Sequence, residues 1–229
     1  MFAIGLKEFK VLFKSIRSIL IVFIIIGIST GTAKILSQFS NQFDSLGLNE
    51  NAYVGGLMVL LFIAAPLFIT SLAHNAVNKE VYSRTVRFLV TKTSRSSILL
   101  GKFLGNFLFW VVCLTISFIL IMPFSNAFYF LELIQSIIFI SYFLGFSLLL
   151  STIISSPSIT MFLGITISII LPIIGMISIG TTNVFIQIVS YITPYYYFTN
   201  DQTDFTYIVV IFPVIFLLIS IITLRKRDL

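Results

Sequence analysis

His74 is the single histidine of the chain and Cys113 its single cysteine. A zinc or iron–sulfur centre needs several such ligands converging on one point, so the sequence offers no His/Cys metal centre. Cys113 also has no partner for an internal disulfide. A Ser–His–Asp set would have to use His74, which has no carboxylate close by in sequence. The nearest thing to a phosphate loop is Gly101-Lys102-Phe103. The Walker pattern places a glycine five residues before its Gly-Lys pair and a serine or threonine after it. Ser96 and Phe103 occupy those places. No cofactor is therefore expected on this chain. Ion relays put ionisable residues inside apolar segments, and apart from Lys102 at the inner edge of its stretch only the charged residues Lys34 and Glu132 fall there. Lys34 lies roughly 24 Å along its helix, at about 1.5 Å per residue, and can reach the interface. Glu132 falls in a first turn, where the helix dipole favours an anion. Covalent and relay chemistry both lack residues, which leaves binding and movement.

The elements carrying these residues are apolar. Of 229 residues, 58 % are hydrophobic and 10 % charged, and the mean hydropathy is +1.10. Soluble domains run at about 45–50 % apolar and about 25 % charged. A soluble chain of this size leaves too much surface in water to hide that excess, and a Phe-rich apolar chain is not disordered. The expected class is all-α: a polytopic membrane protein. A crossing takes about 20 apolar residues, and six such stretches occur, roughly 18–38, 52–74, 101–122, 131–153, 158–180 and 207–224. They are too long for barrel strands and do not alternate. Pro66, Pro172 and Pro213 fall inside them, as do the small-residue pairs Gly27/Gly31 and Gly101/Gly105; such pairs allow close helix approach.

Charge orients the bundle. With six spans, all the Lys and Arg except Lys34 fall on one side: Lys7 to Arg17, Lys79 to Lys102, and Arg225 to Arg227. Asp44, Glu50, Asp201 and Asp204 fall on the other. The positive-inside rule puts both termini in the cytoplasm, and the net charge of +6 then reflects inner loops rather than nucleic-acid binding. Tyr53, Tyr129, Tyr191, Tyr195, Tyr196, Tyr197 and Tyr207 cluster at outer helix ends, as in an aromatic belt. A cleaved signal peptide fits the N-terminus poorly, because its apolar run exceeds the usual ~7–15 residues and cleavage would leave five spans.

Three segments are not spans. Residues 1–17 place Phe2, Leu6, Phe9, Phe13 and Ile16 at helical spacing opposite Lys7, Lys10 and Lys14, the pattern of an interfacial helix on the inner leaflet. Residues 75–100 form the single long charged inner loop. Val81, Thr85, Phe88 and Leu89 fall near one helical face there, and Glu80, Arg84 and Arg87 are spaced for local ion pairing. This segment reads as an anchor for anionic membrane lipid or as a docking element for a cytoplasmic partner. Residues 181–206 are too apolar for a free loop and read as an outer capping segment of one or two short helices, or as a simple aromatic belt.

The run EVYSRTVRFLVTKTSRSSILLGKFLG, from Glu80 to Gly105, resembles the signature of ABC-2 type transporter permeases. Glu80 matches the acidic residue opening a short cytoplasmic helix, Thr85 the threonine, Phe88 and Leu89 the apolar pair, and Ser94-Arg95 the turn. ILLGKFLG, containing Gly101 and Lys102, matches the start of span three. Arg84 replaces the usual glycine and Thr93 a common proline. KEFKVLFKSIRS resembles the family's interfacial elbow, and YITPYYYF its stretch before the last span. The resemblance implies two six-span subunits, identical or different, with two separate ATPase subunits that carry the ATP and Mg. It implies that Glu80, Val81, Tyr82, Arg84, Thr85, Arg87, Phe88 and Arg95 form a coupling helix and turn gripped by the ATPase. The expected role is the permease subunit of an ABC exporter in a prokaryotic plasma membrane, with an amphiphilic substrate. A non-transporting scaffold or sensor is the alternative, and a passive channel a third reading.

Overall fold

A computed structural model of the chain describes residues 1–38, 52–83, 93–180, 183–199 and 203–226. Every regular element among them is helical. Helix α1 spans Phe2–Lys14, α2 Ile16–Gln38, α3 Ala52–Ala73, α4 Asn78–Tyr82, α5 Arg95–Ser125, α6 Phe130–Ile153 and α7 Pro157–Gly180. The short helices α8, Val184–Ser190, and α9, Pro194–Thr199, follow. A 3₁₀ segment, Thr203–Val210, then leads into α10, Ile211–Lys226. Six of these helical segments are long and apolar enough to cross a bilayer.

Local chemistry explains the ends. Helix α5 begins at Arg95, six residues before its apolar stretch, because Ser94 caps it: the Ser94 hydroxyl accepts a hydrogen bond from the Ser97 amide at 3.2 Å. Its 31 residues reach about 46 Å, well beyond a hydrocarbon core of ~30 Å, so its first turns stand clear of the apolar layer. Its far end runs through Pro123 and stops at Asn126, whose φ of 56° is left-handed and whose amide bonds back to the Met122 carbonyl at 2.9 Å. Pro157 occupies the first position of α7, where a missing N–H costs nothing. Pro213 sits in the first turn of α10 rather than mid-span, because the 3₁₀ segment occupies the outer part of the last apolar stretch.

Helix α6 is the hub. In its most apolar stretch 67 % of residues are buried, against 22 % for α2 and for the last span. It packs against α3, α5 and α10. Small residues allow this: at Gly145 an added Cβ would lie 3.0 Å from Pro213 Cα. Exposed Phe23, Phe162, Met176 and Val214 face outward from the bundle, where lipid would lie.

Candidate functional site

Helix α1 does not lie loose beside the bundle. It crosses the start of α5 with backbone against backbone. A Cβ on Gly101 would meet the Met1 carbonyl at 2.8 Å, and one on Gly105 the Gly5 carbonyl at 2.5 Å. The Gly101/Gly105 spacing is thus filled by the amphipathic helix rather than by another span. A Cβ added at Gly27 or Gly31 would meet nothing within 4 Å among the described residues. Phe2, Leu6 and Ile16 of the apolar stripe are exposed, whereas Phe13 packs edge-on against Phe109 of α5, with ring centroids 5.0 Å apart.

The same crossing brings Lys102 under α1. Lys102 is 3 % exposed, and its Nζ donates to Glu8 Oε1 and to Glu80 Oε1, each at 2.8 Å. One buried ammonium therefore joins three elements: α1 through Glu8, α4 through Glu80, and α5 through its own backbone. Burying an ammonium is expensive unless it is paired and hydrogen-bonded, so both carboxylates are needed for Lys102 to sit there. Asn106, one turn on, donates to the Lys102 carbonyl at 2.9 Å.

Helix α4 is fixed from its other side too. Ser151 Oγ, near the end of α6, accepts from the amides of Val77 and Asn78 at 3.0 and 3.2 Å. Asn78 Nδ2 donates to Thr160 Oγ1 of α7 at 2.7 Å. Val77 packs with Leu99, Leu148 and Leu224, and half-buried Val81 lies against that cluster. The turn between α3 and α4 keeps its backbone bonded, His74 to Thr70 and Ala76 to Ala73. So α4 is a short arm on the end of α3, fastened to α1, α5, α6 and α7.

Of the sequence-derived candidates, Glu80, Lys102 and Gly101 meet at this node. Tyr82 projects from it, 74 % exposed. Arg95 donates to the carbonyls of Leu224 and Arg225, both at 2.9 Å, closing the C-terminus of α10 as a cation should. Arg84, Thr85, Arg87 and Phe88 lie outside the described residues. Arg95→Gln should cost about 1 kcal/mol at that terminus and raise amide exchange of residues 224–226 about fivefold, read by hydrogen–deuterium mass spectrometry. Glu8, Asn78, Ser151 and Thr160 were not singled out by sequence. Glu8 had one visible signal, a lone acid among Lys7, Lys10 and Lys14.

A second constellation lies deeper. Pro66 has no N–H, so it leaves the Phe62 carbonyl without its helical partner. Tyr195 of α9 supplies one: its hydroxyl donates to that oxygen at 2.7 Å. Tyr195 is 6 % exposed and is not a headgroup-level tyrosine. Burial, with Tyr142 close by, raises its pKa above the ordinary phenol value, so it stays a donor. Ser168 of α7 donates to the Pro66 carbonyl at 3.1 Å. Ser168 is also 2.9 Å from the Thr70 hydroxyl, which therefore donates to it. Tyr142 of α6 ties down the turn before α9 through the Ile192 carbonyl at 2.8 Å. An apolar cavity of about 220 Å³ lies beside the Tyr195–Phe62 bond, bounded by Phe62, Ile63, Pro172, Met176, Tyr195 and Phe198.

The family model for "ABC-2 family transporter protein" matches residues 2–229. None of the curated proteins compared matches the chain. The match spans the amphipathic helix α1, the six apolar helices and the arm between the second and third of them, and the chain is an integral membrane protein that belongs to the ABC-2 transporter family.

Proposed function

We propose that this chain is the permease subunit of an ATP-driven exporter, that a separate ATPase docks on α4 and the loop after it, and that two permease subunits enclose the path. The observation that carries the reading is the Glu8–Lys102–Glu80 node. A docking arm is useful only if a push on it reaches the spans, and Lys102 makes α4 move with α1 and α5. Energy enters from outside the chain, since its sequence carries no Walker pattern. ATP binding would close the ATPases and displace α4; α3, continuous with it, would carry the motion to the turn around Pro66 and the apolar cavity. An apolar wall of this kind suits an amphiphilic substrate. The basic end of the bundle faces the cytoplasm of a prokaryotic cell in this reading. Glu80, Val81, Tyr82, Arg84, Thr85, Arg87, Phe88 and Arg95 form the docking element, with Gly101 and Lys102 behind it.

Tyr82 provides the test, because it is exposed and the fold does not need it. Tyr82→Ala should weaken capture of the co-expressed ATPase about tenfold, the scale of an exposed aromatic anchor at an interface, with unchanged melting. Arg84→Glu should act in the same direction. Full capture and full ATP-dependent transport by both variants would overturn the docking role.

A further inference from the structure

Beside the node lies a cleft of about 520 Å³ between α1, the inner end of α3, α4 and α5. We propose that it seats the phosphate headgroup of an anionic phospholipid. Lys7, Arg17 and Lys79 line it, together with Ser15, Ser71 and Asn75. The two carboxylates in its wall, Glu8 and Glu80, are both bound to Lys102. Lys7, Arg17 and Lys79 form no ion pair among the described residues. Four cations thus face two carboxylates, and the surplus positive charge comes from three different elements, so it converges on a space rather than spreading along one helix. A phosphodiester is the complementary group: it accepts from ammonium, guanidinium and hydroxyl donors at once.

The cleft's rim favours a lipid over a soluble anion. Val11 lines the cleft and is 52 % exposed. Leu12, Leu72 and Ala76 line it as well, and Ile16, between the lining residues Ser15 and Arg17, is exposed. A ligand with a charged head and acyl chains meets both surfaces; a free phosphate meets only one. An acidic side chain of the ATPase would also answer the charge but leaves the apolar rim facing water. The helix that places the rim is the one expected to lie at headgroup level, where anionic lipids concentrate. The site stands on this chain alone, and only its assignment to the inner leaflet rests on the orientation proposed above.

The experiment uses the full chain without an ATPase, reconstituted in nanodiscs of phosphatidylcholine and phosphatidylglycerol and released for native mass spectrometry. Wild type should retain phosphatidylglycerol in preference to phosphatidylcholine. The variant Lys7→Gln/Arg17→Gln/Lys79→Gln should retain it about a hundredfold less, at roughly fivefold for each basic group near a membrane surface. The charge-matched control Lys10→Gln/Lys14→Gln/Lys226→Gln, on exposed residues outside the cleft, should behave as wild type. If the cleft variant fails to melt cooperatively, the three single substitutions replace it, each with about a fivefold loss. Equal loss in the control and cleft variants would overturn the proposal in favour of diffuse attraction. Displacement by inorganic phosphate would overturn it in favour of a soluble anion. Absence of lipid preference, with ATPase capture lost in the cleft variant, would assign the cations to the ATPase. Because lipid retention is read without transport, its failure leaves the permease reading intact, and the Tyr82 test can fail without touching the lipid.

Discussion

Lys102→Met should destabilise the chain by about 3 kcal/mol, the low end of the cost of removing one partner from a buried ion pair, and should reduce ATP-coupled transport in proteoliposomes about a hundredfold. The substitution keeps the length and apolar stem of the side chain. What it removes is the ammonium holding Glu8 and Glu80, so two carboxylates are left facing each other with α1 and α4 no longer tied. The triple variant Glu8→Gln/Lys102→Met/Glu80→Gln separates fold from function. Replacing a whole buried charge set by neutral groups is often close to neutral for stability, so melting should recover to within about 1 kcal/mol. Transport should stay low, because α4 and α1 no longer share a strong contact. If transport returned together with stability, the node would be a staple of the fold and no part of the coupling. If Lys102→Met melted and transported as wild type, both roles would be wrong.

Tyr195→Phe should cost about 2 kcal/mol in the native sequence and close to nothing in a Pro66→Ala background. The first figure is that of leaving a buried carbonyl unsatisfied, here the Phe62 oxygen that the proline stripped of its helical partner. In the alanine background the residue-66 amide returns to that oxygen, and the phenol becomes dispensable. The unfolding free energies of the four variants in detergent form a double-mutant cycle, and the coupling should equal most of the single-variant loss. Equal losses in both backgrounds would mean that the hydroxyl acts independently of the proline, and no loss in either would mean that Tyr195 acts through its ring, which packs on Phe139 at 5.5 Å between centroids. A transport loss in Tyr195→Phe that Pro66→Ala reverses would further tie the outer cap to movement of α3.

The six long helices were legible because a span leaves its mark on consecutive residues, and the basic segments between them were legible for the same reason. Helix ends were less so. Apolarity alone starts the third stretch at Gly101, whereas the serine cap starts α5 at Arg95; the cap is a hydrogen-bond feature that hydropathy does not register. Glu80 and Lys102 were singled out separately, one at each end of a motif 22 residues apart in sequence. That they share a bond, and that Glu8 completes it, depends on α1 crossing α5 at Gly101 and Gly105. Small residues announce a crossing but do not name the partner. The Phe62–Tyr195 bond joins residues 133 apart, and Tyr195 was grouped with the interface tyrosines because position along a span says nothing about which side of a ring is covered.

The contact of α1 with α5 also sets a timetable for biogenesis. The amphipathic helix is made before α5, yet the surface that receives it lies on α5, and the ammonium that claims Glu8 comes 94 residues after that acid. Until α5 has been synthesised and laterally released into the bilayer, the N-terminal helix has little but the membrane surface and its short link to α2 to hold it. Docking of this helix is therefore a late step of assembly, and a nascent chain stalled before its third span would carry it undocked, open to proteases and chaperones.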